Sequence, residues 1–161
     1  MASKEIRKKV LVPEAPIPQK IGKKAIGPQS KIIECIVTIT TGSVKKAGTD
    51  ADVYFEIAGH RTLLDKPGYN DFEKGDTDTY HLGVPAMTLK ELRESVILLY
   101  HDNTGKYPGW YVDKVDMKVR FENTYIFKLY KRWWYSIGWL AKDEGPYYTT
   151  QATLQDGTEM Q

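Results

Sequence analysis

Asp50, Asp52, Asp65, Asn70, Asp71, Glu73, Asp76 and Asp78 crowd into one stretch of the sequence, with glycines at the bends. Carboxylate and amide oxygens grouped in this way are the ligand chemistry of a hard cation such as calcium. The same residues equally serve to cap turns and to pair with nearby lysines, with no metal involved. Both readings stand at this level. No other residues gather into a reactive set. Cys35 has none of His60, His81 and His101 at a zinc-ligand spacing, so it reads as a small strand residue. His101, Asp102 and Asn103 lack a serine in a nucleophile elbow, and no carboxylates are paired at a recognisable spacing. Gly22 and Gly27 are isolated and form no phosphate-binding loop. The chain therefore reads as non-catalytic. Its remaining candidates are contact residues: Tyr69, Tyr107, Trp110 and Tyr111 lie in or beside loops. Aromatics so placed suit either a membrane interface or the centre of a protein interface. Trp134, Trp139 and Phe127 read as core.

Charge adds a second kind of candidate. Residues 1–30 carry seven basic and two acidic side chains, against 16 and 19 in the remainder, so +5 precedes a body of −3. Lys8, Lys9, Lys23 and Lys24 are the basic residues of this arm expected to touch a partner. Pro13, Pro16, Pro18 and Pro28 disfavour helix and make the arm extended. A basic arm suits an acidic protein surface or an anionic membrane. Nucleic acid is disfavoured, because the body is net acidic and lacks a basic groove. No apolar run reaches the length of a membrane span. One cysteine excludes an internal disulfide framework and fits an intracellular, reducing compartment.

The elements that position these residues are strands. From residue 31 the apolar period becomes two: Cys35, Val37 and Ile39, then Val53, Phe55 and Ile57, then Val115, Met117, Val119 and Phe121. A weaker strand falls near 77–82, with others at 125–129, 133–140 and 147–154. The continuous apolar run Ser95–His101 reads as a strand covered on both faces. The single helix expected is Thr88–Glu94, with Thr88 capping and Glu91 completing a capping box. Short strands, regular turns and almost no helix imply an antiparallel β-sandwich, with an open barrel as the competitor.

Three segments go beyond a generic sandwich: Thr40-Thr-Gly-Ser-Val-Lys-Lys-Ala-Gly-Thr-Asp-Ala-Asp-Val-Tyr-Phe, Asn70-Asp-Phe-Glu-Lys-Gly-Asp-Thr-Asp-Thr-Tyr, and His101-Asp-Asn-Thr-Gly-Lys-Tyr-Pro-Gly-Trp-Tyr-Val-Asp-Lys-Val. In this order they resemble the PLAT domain family, also called LH2 or lipoxygenase-homology domains. Trp134-Tyr-Ser-Ile-Gly-Trp-Leu-Ala-Lys-Asp-Glu-Gly resembles the family's closing strand. The resemblance implies an all-β, antiparallel, eight-stranded sandwich of two four-stranded sheets, here following an extended N-terminal arm. It implies a docking role towards membranes or proteins, and it places His101 at a strand end, where Asp102 and Asn103 shape the next turn. It also implies calcium as the possible cofactor, held by Gly48 and Thr49 through backbone carbonyls and by Asp65, Asn70 and Asp71 through side-chain oxygens. The sequence departs from that pattern at Lys46 and Lys66, whose ammonium groups oppose a divalent ion and offer acids a different partner.

The organisation expected is an arm over 1–30, a PLAT-like sandwich over 31–154 and a short tail over 155–161, together a stand-alone module. The leading functional expectation is a protein-interaction subunit of a larger assembly, anchored by the arm. The alternative is a peripheral lipid- or membrane-binding module, with calcium dependence as its open variant.

Overall fold

The computed structural model describes residues 26–66, 68–122, 131–143, 149–154 and 157–160. Among these residues ten strands and one helix follow in chain order: β1 (Lys31–Thr41), β2 (Val53–Ile57), β3 (His60–Leu63), β4 (Thr77–Leu82), β5 (Met87–Thr88), α1 (Leu89–Glu94), β6 (Ile97–His101), β7 (Trp110–Phe121), β8 (Lys131–Leu140), β9 (Gln151–Thr153) and β10 (Thr158–Met160). One antiparallel sheet runs β10-β8-β7-β1-β4, with β5 also on β1; the other runs β3-β2-β6-β9. The all-β sandwich stands, but among the described residues its division is six strands and four rather than four and four. The extra strands have a simple origin. β1 is long enough to pair with β4 over Cys35–Thr40 and with the two-residue β5 at Lys31 and Ile32. β10 adds to the free side of β8 through Thr158–Met160. The strand expected at 125–129 lies outside the described residues, as does the arm up to residue 25.

The inward faces close over a core that includes Val37, Ile39, Phe55, Leu99, Val115 and Met117, all essentially inaccessible. Period-2 alternation holds within strands, but its phase slips at irregularities. In β1, Ile32 and Cys35 both point inward, which strict alternation forbids; a register shift between Ile32 and Glu34 turns Ile33 out to solvent. In β7, Val115–Phe121 bury odd positions whereas Trp110 and Val112 bury even ones, with the shift between Val112 and Lys114. The facing stretch of β8 is irregular too, with Ser136 at φ 50°. β6 corrects another expectation: only Ile97, Leu99 and His101 are buried, while Leu98 and Tyr100 are half-exposed on the outer face. There Tyr100 stacks on Tyr54, with ring centroids 5.4 Å apart.

α1 forms where its capping pattern places it. Glu91 N–H donates to Thr88 Oγ1 at 3.2 Å, Thr88 N–H donates to Glu91 Oε1 at 2.9 Å, and Leu89 and Leu92 face the core. Thr88→Ala is expected to cost about 1 kcal/mol in urea unfolding, with Thr88→Ser keeping most of it. An unchanged midpoint would mean that packing alone holds this turn.

Candidate functional site

One end of the sandwich is built by three loops, β1–β2, β3–β4 and β6–β7, with residues 141–143 after β8. Backbone hydrogen bonds lace them together: Thr49 N–H to Phe72 O at 3.3 Å, Asp50 N–H to Tyr107 O at 3.1 Å, and Tyr111 N–H to Ala47 O at 2.9 Å. Two glycines permit this closeness. A Cβ on Gly48 would lie 2.9 Å from Phe72 O, and one on Gly105, itself at φ +85°, would lie 2.8 Å from Asp50 O. Gly48 is therefore required by close approach rather than by a left-handed backbone.

Thr49, Asp65, Asn70 and Asp71 line one cleft of 200 Å³, together with Asp50 and Asp52. Gly48 lines a neighbouring 330 Å³ cleft with Lys46, Asp50, Glu73, Lys74 and Tyr107, Asp50 being common to both. Of the first group, the Asp71 carboxylate and the Thr49 hydroxyl, though not the Thr49 carbonyl, have partners among the described residues. The buried Thr49 hydroxyl donates to Pro108 O at 2.6 Å and accepts from Ala51 N–H at 3.1 Å. Asp71 accepts from Tyr80 Oη–H at 2.5 Å through Oδ1 and from Lys66 N–H at 3.2 Å through Oδ2. Asp65 and Asn70 are exposed. Among the described residues no three acidic, histidine or cysteine side chains group as a metal site. Asp71, the one carboxylate of the expected calcium set that is not fully exposed, is thus held by the protein's own donors.

Sequence reasoning passed over Asp78 as a centre in its own right. It is fully buried, its Oδ2 accepts Phe72 N–H at 3.1 Å, and its Oδ1 lies 3.8 Å from the Lys66 ammonium without a well-formed hydrogen bond. That ammonium also sits 4.9 Å from the Tyr69 ring centroid and 5.1 Å from that of Tyr80. Burial and the hydrogen bond to Asp71 push the Tyr80 hydroxyl far up. Tyr69 is pushed up to about 12, chiefly by the Asp78 carboxylate beside its hydroxyl.

The expected contact residues divide. Tyr69 and Tyr107 are exposed, at 45% and 60%. Trp110 is not a contact residue: its ring is wholly buried, tilted against Phe72 at 4.9 Å, and its Nε1–H donates to Thr41 Oγ1 at 3.0 Å. The phase slip in β7 is the reason, since it turns Trp110 inward. Tyr111 is half-buried and meets Trp139 edge-on at 5.4 Å. Trp134 is core as expected, whereas Trp139 is only half-buried. Lys8, Lys9, Lys23 and Lys24 lie outside the described residues. What the sequence did not reveal is that Lys46, Lys106 and Lys142 meet around a 470 Å³ cleft with Tyr107 and Trp139. Only the topology brings them together.

His101 has a structural task at this end. Its Nε2 faces Leu140 O at 2.7 Å, tying β6 to β8 across the two sheets, and its Nδ1 accepts Asn103 N–H at 3.0 Å. The ring is therefore neutral with its proton on Nε2, and burial pulls its pKa below the ordinary value. Asp102 shapes the turn, accepting Asp52 N–H and Thr104 N–H, both at 3.1 Å. Burial would raise its carboxyl, but the Thr104 and Asp52 donors outweigh that and lower it. Because unfolded His101 takes a proton more readily than folded His101, stability is complete above about pH 6.5 and falls as the pH drops from there through the lowered value. Urea unfolding at pH 7.5 and 5.5 should show this loss, and His101→Gln should flatten it. Equal slopes in both proteins would assign the loss elsewhere. Cys35 is inert by the same logic, since burial pushes its thiol up to about 12.

Fold and site together define a two-sheet antiparallel sandwich whose loops at one end present lysines and tyrosines around clefts. The chain belongs to the PLAT/LH2 domain family, whose model matches residues 35–137. Among curated proteins it is 31% identical over 127 residues to mouse lipoxygenase homology domain-containing protein 1, covering 74% of this chain and 6% of that protein. It is 30% identical over 135 residues to PLAT domain-containing protein 2 of Arabidopsis thaliana, covering 71% of this chain and 67% of that one. The chain thus spans only a small part of the mouse protein. Among solved structures, coral 8R-lipoxygenase, described as calcium-activated through a C2-like domain, matches with TM-score 0.54 and 24% identity over 75% of this chain and 16% of its own. Clostridium perfringens alpha-toxin matches with TM-score 0.55 and 22% identity over 73% and 31%. At these identities the two structures establish the fold alone.

Proposed function

We propose that this chain is a non-catalytic docking module that seats its loop end on an anionic phospholipid surface. The observation that carries this reading is the convergence of Lys46, Lys106 and Lys142 on one cleft with Tyr107 and Trp139. Lysines beside an anionic membrane each contribute roughly 1 kcal/mol, and tyrosine rings favour the headgroup region. The arm's +5 adds to the same attraction. No described helix is long and apolar enough to cross a membrane, so the docking is peripheral as far as helices are concerned. Co-sedimentation with vesicles containing phosphatidylserine, but not with vesicles of phosphatidylcholine alone, is the expected result. Equal recovery with both, or with neither, would defeat the reading.

A second reading is a subunit carried into an assembly by its arm, favoured by the contrast between a +5 arm and a −3 body. Removing residues 1–25 separates the two and spares Ile26, Pro28 and Ser30, which pack on or bond to the sandwich. Vesicle binding that survives the deletion places docking on the sandwich, whereas loss of a native complex alone points to the assembly role.

A further inference from the structure

We infer that the Lys66 ammonium is the built-in cation of the β3–β4 loop and takes the place a divalent ion would fill, so that this loop holds its shape without calcium. The inference stands apart from the membrane reading, and its test contains no lipid. Lys66 reaches both acids that organise the loop. Its backbone N–H donates to Asp71 Oδ2 at 3.2 Å, and its side-chain nitrogen lies 3.8 Å from Asp78 Oδ1. Asp78 is fully buried, where a carboxylate without a counter-charge is costly. The remaining directions around the ammonium include the faces of Tyr69 and Tyr80, at 4.9 and 5.1 Å, which attract a cation through their π-clouds. Tyr80 in turn donates its hydroxyl to Asp71 Oδ1.

The arrangement therefore gives each carboxylate a partner from within the chain. It also holds Phe72, a non-glycine residue at φ 60°, through the bond from its N–H to Asp78 Oδ2. A calcium ion approaching Asp71 would have to displace the Tyr80 hydroxyl and the Lys66 N–H, and it would meet the Lys66 charge.

The test compares the full chain with its Lys66→Gln variant, in calcium chloride and in EGTA, by thermal melting and by terbium luminescence sensitised by Tyr69 and Tyr80. The wild-type melting temperature is expected to move by less than ~1 °C with calcium, and terbium emission should not saturate. Lys66→Gln should melt ~3 °C or more lower in EGTA, regain part of that loss in calcium, and acquire saturable terbium emission. Lys66→Arg, which keeps the charge, should stay calcium-indifferent. Wild-type protein stabilised by calcium overturns the inference, and so does a folded Lys66→Gln that ignores it. Should Lys66→Gln not fold, Lys66→Met keeps the stem over both rings and takes its place, while the wild-type titration remains decisive.

Discussion

Replacing Lys46, Lys106 and Lys142 together by glutamine is expected to weaken binding to phosphatidylserine vesicles by about 100-fold. At roughly 1 kcal/mol for each lysine near an anionic surface, three removed charges amount to about 3 kcal/mol, which is two decades of affinity. The three side chains are exposed, so folding stability should change by no more than about 0.5 kcal/mol. The loss would then belong to binding. Raising the ionic strength should weaken the wild-type protein in the same direction, because exposed charges are screened within roughly 10 Å at moderate salt. A triple variant that sediments as the wild type does would remove this cleft from the docking surface, whatever the arm contributes.

Trp110→Ala is expected to cost about 3–5 kcal/mol of stability, the range for truncating a large core aromatic. The ring is fully buried against Phe72, and its N–H is bonded to the buried Thr41 hydroxyl. For a domain with ~5–15 kcal/mol in total, that is a large share. Trp110→Phe should cost less, since most of the apolar volume remains. Tyr107→Ala is the useful contrast: exposed at 60%, it should leave urea unfolding nearly unchanged. If Trp110→Ala unfolds at the wild-type urea concentration, the ring does not occupy the core. Any vesicle assay on Trp110 variants must therefore begin by showing that the protein is folded.

Trp110 also shows where reading the chain residue by residue stops. Cys35–Ile39, Val53–Ile57 and Val115–Phe121 were legible as strands because their apolar period is strict and one face is buried. The capping box of α1 was legible because it is entirely local. The slip between Val112 and Lys114 leaves no signature in residue type, so the inward turn of Trp110 could not be read from the sequence. β3 went unseen for another reason: His60–Leu63 is an edge strand with no buried residue, and hence without an apolar rhythm. Asp65, Asn70 and Asp71 do meet in one cleft, but the hydrogen-bond partners that occupy Asp71 come from residues 66 and 80. Which partner wins a carboxylate is decided by packing. The lysine cleft draws on residues 46, 106 and 142, a proximity that no local pattern encodes.

If the loop end docks as proposed, the lacing of its loops bears on release as well as on binding. Thr49, Asp50 and Tyr111 already spend their backbone N–H groups on neighbouring loops. The conformational entropy of those segments is surrendered during folding, so little remains to be lost on contact. A pre-shaped surface of this kind would associate without a slow ordering step, at a rate that charge and salt tune. The grip would then be adjustable from outside, by the composition of the surface it meets, with no rearrangement of the sandwich behind it.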